Sequence, residues 1–182
     1  MGTKLFNPFI YLAGGKALVI GLLAMAAAAV LGFLSHSHFN GVLDFHKYKV
    51  QLPFYVSVAE QVIILVCLVL PFYIAGRIFS KSEIRFIDVA GTLALARWPM
   101  VLTALTGFGL PADVRGVEDV TPSVIVLGLT ALVLAVWVIA LTYNAFSVSC
   151  NLKGAKCTFP FVVCIIIAEV SAYFLCSLLY TL

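Results

Sequence analysis

Few side chains in this sequence could do chemistry in an apolar setting, and three stand out: Arg97, Glu169 and Glu60. Each lies inside a long apolar run. Ionisable groups in such runs are expensive, so they face other helices, pair with one another and mark functional positions. Their depths can be compared from the helical rise. Arg97 falls roughly 13–18 Å and Glu169 roughly 15 Å from one membrane edge, and Glu60 about 10 Å from the other. The match predicts an interior triad of Arg97, Glu169 and Glu60. Two acids against one base leave it net negative, so one acid is protonated or partnered by a cation. Such a triad could carry a proton, an ion or a lipid headgroup along a polar path. It could equally be an ion-pair network that fixes how three helices pack, and with no substrate motif beside it this is the stronger expectation.

The other reactive residues point to less. His36, His38 and His46 share one connection with Asp44, but no zinc-type spacing or helical histidine pair is present. They read as a solvated loop, and no metal or other cofactor is expected. Cys67, Cys164 and Cys176 sit in apolar runs as packing residues. Cys150 and Cys157 match no redox or metal motif. No nucleophile elbow, zincin helix or phosphate-binding glycine loop occurs, so no enzyme is expected.

The elements that must position these residues follow from composition. Of 182 residues, 63% are hydrophobic and 10% charged, far from the soluble norm. The backbone must then satisfy itself within helices or a closed barrel. The apolar runs are too long and too continuous for barrel strands. An all-α polytopic membrane protein of five helices follows, with spans at about 17–34, 54–78, 86–108, 122–142 and 159–182. Residues 1–16, broken by Asn7-Pro8, read as an interfacial lead-in, and the first span as a retained helix rather than a signal peptide. Ala17, Gly21, Ala24, Ala28 and Gly32 recur on one face of that span and predict a close helix-packing face. Pro71 and Pro99 should kink the second and third spans. The fourth span carries no charge and should meet lipid. Tyr11, Tyr48, Tyr55, Tyr73, Tyr143 and Tyr180 fall near span ends, as in an aromatic belt.

Basic residues set the orientation. Lys4, Lys16, Arg77, Lys81, Arg85, Lys153 and Lys156 fall on one side, against Lys47, Lys49 and Arg115 on the other. The richer side is expected to be cytosolic, which makes the N-terminus cytosolic. Arg77, Arg85 and Asp88 are boundary charges there, with Asp88 pairing to Arg85 or Arg77 or capping the third helix. Basic residues placed this way are a topology signal, so no nucleic-acid partner is expected.

The stretches NPFIYLAGGKAL (Asn7 to Leu18) and IFSKSEIRFIDVAGTLALARWP (Ile78 to Pro99), with the five-span layout over nearly the whole chain, resemble the Yip family of Ypt/Rab-GTPase-interacting membrane proteins in its short bacterial form. The resemblance implies a cytosolic N-terminus, five helices and location in a bacterial inner membrane. Eukaryotic members bind small GTPases partly through a long N-terminal region. Here about sixteen residues precede the first span, and the glycine-proline signature of that region is missing, which argues against a small-GTPase partner. The resemblance implies a non-enzymatic scaffold or interaction protein in membrane organisation or trafficking. Its expected partners are membrane lipids, other membrane proteins or a second copy of itself, met through faces such as the first-span stripe. The alternative is a small transporter or channel component built on Arg97, Glu169 and Glu60.

Overall fold

The computed structural model describes residues 5–48, 51–111 and 120–181. Lys4, Lys49, the connection holding Asp113, Arg115, Glu118 and Asp119, and Leu182 lie outside them. The described chain is an all-α bundle of α1 (Gly14–Leu34), α2 (Phe54–Phe79), α3 (Phe86–Ala96), α4 (Met100–Thr106), α5 (Pro122–Ser149) and α6 (Ala155–Leu179). Taken together, α3 and α4 make one crossing, so five segments are long and apolar enough to span a membrane. A two-stranded hairpin follows α1, with β1 (Ser37–His38) antiparallel to β2 (His46–Lys47). Below, the end of the bundle carrying Arg77 and Lys156 is the basic end, and the opposite end is the hairpin end.

The least apolar crossing is at the centre. The α3–α4 segment has mean hydropathy 1.3 and 78% of it is buried, whereas α5 has 2.9 and 17%. Lipid solvates the apolar helices, and the bundle interior takes the helix with polar groups to satisfy. Uncharged α5 accordingly lies at the periphery, and it runs on past the expected end at 142 to Ser149, with Asn144 donating to the Phe6 carbonyl at 2.8 Å.

The small-residue face of α1 packs against α3. Ala17, Gly21, Ala28 and Gly32 are buried and Ala24 is half-buried. A Cβ at Gly21 would lie 2.5 Å from the Ala94 carbonyl carbon, so only glycine permits this approach. The face is therefore occupied within the chain, and the expectation that it serves assembly with other proteins is corrected. Pro71 leaves α2 continuous to Phe79. Pro99 has the larger effect. It cannot donate to the carbonyl one turn back, and the chain passes through three-residue turns (Trp98 N–H to Leu95, Met100 N–H to Arg97) before α4 begins. Arg97 sits at this break, as the residue that caps the C-terminal end of α3.

Candidate functional site

The connection after α1 turns inward. His36 adopts a left-handed backbone (φ 56°) just past the end of α1, a position where helices commonly terminate. From there the chain folds into the bundle rather than over it. Ser35, Ser37, His38, Phe39, Asn40, Gly41 and Val42 are all buried. The solvated loop expected for this stretch is thus corrected: its first half plugs the hairpin end. The physical reason is compositional, since Phe39, Val42, Leu43 and Phe45 join the apolar core and pull the intervening polar groups down with them. Those polar groups need partners at depth, and the three intramembrane charges supply most of them.

Glu60 meets the hairpin first. Fully buried, its Oε1 accepts from His38 Nδ1 at 2.6 Å and from the Tyr180 hydroxyl at 2.8 Å. Its Oε2 accepts from the Phe39 N–H at 3.1 Å. The rings of His38, Tyr48 and Tyr180 pack edge-to-face around the carboxylate, with centroids 5.3–6.0 Å apart. Tyr180, read as part of an aromatic belt, is instead a ligand of Glu60. Tyr48 lies outside the spans, and burial, then the Glu60 charge, holds its phenol above the usual range.

Val42 lies between the other two charges. Its carbonyl accepts from Arg97 Nη1 at 2.7 Å. Its N–H donates to Glu169 Oε2 at 2.7 Å, and the Leu43 N–H donates to the same oxygen at 3.1 Å. A side chain at Gly41 would collide with the Glu169 carboxylate, so the hairpin tip needs glycine there. Arg97 is 1% exposed, and its Nε and Nη2 make no hydrogen bond within the described residues.

The expected triad of Arg97, Glu169 and Glu60 is therefore not a set of direct ion pairs. Among the described residues no salt bridge joins any two of them. One peptide unit separates the Arg97 and Glu169 contacts, and Glu60 holds a different part of the hairpin. The reason is that the hairpin backbone and His38 offer buried donors and an acceptor at the same depth, and these outcompete a bare pair that would leave them unsatisfied.

The remaining candidates separate. Asp88 pairs with Arg85, through Nε at 2.8 Å and Nη2 at 3.0 Å, and this bond raises the Arg85 pKa. Arg77 borders an exposed cleft at the basic end with Lys81, Glu83 and Arg85. His36 is exposed, and His46 lies 3.8 Å from Asp44. Among the described residues no three His, Cys, Asp or Glu side chains are grouped to hold a metal ion. All five cysteines are free and buried. His38 and Tyr180 were the residues missed from sequence. The available signal was that the basic residue of Glu60's own span, Arg77, lies at the far end of that helix, so the partner of Glu60 had to come from a connection or another helix end.

Fold and site together define a polytopic integral membrane protein whose buried charges grip an inward-folded hairpin. Comparison of the chain with protein-family models, with curated proteins and with solved structures gives no match.

Proposed function

We propose that this chain is a non-enzymatic integral membrane scaffold or interaction protein of the Yip type, acting in membrane organisation or trafficking in a bacterial plasma membrane. One observation carries the proposal: Glu60, Arg97 and Glu169 all bind the hairpin rather than line a path. Charges held by backbone and by buried ring donors fix architecture and leave little freedom for an ion to bind and depart. Any assembly with a second copy or another membrane protein uses a face other than the α1 stripe, which α3 already covers.

A second reading as a transporter component is favoured by one feature. Glu169 is only half-buried and, with Asp44, borders a groove of about 530 Å³ at the hairpin end. Flux measurements on sealed proteoliposomes separate the two. The scaffold reading predicts proton and monovalent-ion leak equal to that of empty liposomes. Flux above that level, abolished in a folded Glu169→Gln protein, overturns it in favour of transport.

A further inference from the structure

A groove of about 640 Å³ runs between α2 and α6 toward the basic end. Its walls are apolar, formed by Val66, Leu70 and Ile74 on α2 and by Phe159, Val163 and Ile167 on α6. The helical period puts one basic residue just beyond the lining of each wall, at the basic end of the groove. Arg77 stands about two turns beyond Leu70 on the same stripe of α2. Lys156 stands about two turns before Val163 on the same stripe of α6. Both side chains are exposed. In addition, α6 begins at Ala155 after Gly154, which provides no side-chain cap, so the positive end of its dipole lies at the same end of the groove.

We infer that this groove is a binding site for one anionic phospholipid, with an acyl chain along α2 and α6 and the headgroup phosphate between Arg77 and Lys156. Charge complementarity selects an anion at the basic end, and the apolar walls select a hydrocarbon tail. The walls run roughly 20 Å along α2 (Val66 to Phe79) and roughly 24 Å along α6 (Phe159 to Leu175), more than one leaflet of a hydrocarbon core about 30 Å thick and room for one extended acyl chain. By the positive-inside rule the basic end faces the cytosol, the side where anionic lipid concentrates and where basic pockets between helices hold such headgroups. The site lies away from the hairpin and stands whether or not the scaffold reading holds.

Native mass spectrometry of the full chain, released from nanodiscs of mixed phosphatidylglycerol and phosphatidylcholine, tests this. The inference predicts one retained lipid per chain, with phosphatidylglycerol favoured about tenfold. Arg77→Gln with Lys156→Gln should remove that preference, whereas Lys16→Gln, at the same end but off the groove, should keep it. Val163→Trp, which fills the groove, should lower retention of both lipids. Thermal melting of each variant establishes that it is folded, and a variant that unfolds is replaced by Arg77→Lys with Lys156→Arg, which should retain the preference. Equal retention of the two lipids by the native chain overturns the inference. So does an equal loss in Lys16→Gln, which marks general surface charge. A dimer that Val163→Trp dissociates overturns it as well, because the groove then seats a second copy.

Discussion

Removing the Glu60 carboxylate is the sharpest perturbation of the hairpin. In Glu60→Ala, the His38 ring N–H, the Tyr180 hydroxyl and the Phe39 N–H lose their common acceptor in a site closed to solvent. Orphaned buried donors cost about 1–3 kcal/mol each, and relaxation recovers part of this, so the loss should be about 3–5 kcal/mol. Glu60→Gln keeps one carbonyl oxygen for two of the donors but sets its amide against the third. It should cost about 2 kcal/mol. Tyr180→Phe removes one donor and leaves the carboxylate doubly held, costing about 1 kcal/mol. For a chain of this size each kcal/mol moves the melting temperature by about 2–4 °C. Thermal unfolding in detergent should therefore rank the variants in that order, with Glu60→Ala lowered by roughly 10 °C. Amide exchange at Phe39 should accelerate in Glu60→Ala ahead of exchange within α3. A Glu60→Ala protein that melts within about 1 °C of the native chain, or a Tyr180→Phe protein that loses more than Glu60→Ala, refutes the reasoning.

Three further outcomes follow from the same geometry. Exchanging the charges, Arg97→Glu with Glu169→Arg, would rescue a direct ion pair. Here it should be at least as damaging as either single change, by about 3–5 kcal/mol in chemical or thermal unfolding, because an acceptor then meets the Val42 carbonyl and a cation meets the Val42 and Leu43 N–H groups. Gly21→Ala should destabilise by about 1–3 kcal/mol through overpacking against α3, while Gly15→Ala, with open space at its Cβ, should be neutral or slightly stabilising in the same melts. Burial holds the His46 pKa below the usual 6.5, with Asp44 opposing. The unfolded chain therefore binds this proton more readily. The His46 contribution is complete above pH 6.5 and declines as pH falls below it. A His46→Gln protein should show a shallower fall in melting temperature between about pH 6.5 and 5 than the native chain.

The five crossings were legible because lipid imposes a coarse rule that long apolar runs obey one by one. The peripheral place of the fourth crossing was legible too, since it carries no charge to keep from lipid. What the hairpin does was not. Depth along each helix brings Arg97 and Glu169 to one level, but helical rise says nothing about a backbone segment inserted between them. The stretch from Ser35 to Val42 carries histidines, serines and an asparagine, so composition assigned it to water. Burial was decided instead by Phe39 and Val42 next to it and by acceptors waiting on α2 and α6. Those partners are distant in sequence, as with Tyr180 and Glu60, and no local pattern links them. The α1 stripe was legible as a packing face, but its partner, α3, depends on Gly21 meeting Ala94, a tertiary fit.

The central claim is that the hairpin tip lies inside the bundle, held by intramembrane charges. Single cysteines placed at Val42 and at Asp44 test it directly in sealed vesicles with a membrane-impermeant maleimide. Native cysteines give little background because all five are buried. Val42 is fully buried and the Asp44 side chain is 46% exposed. The account predicts rapid labelling of Asp44→Cys from the hairpin side and almost none of Val42→Cys, with Val42→Cys becoming reactive when combined with Glu60→Ala. Equal labelling of the two sites in otherwise native chains would place the hairpin in water and contradict the account.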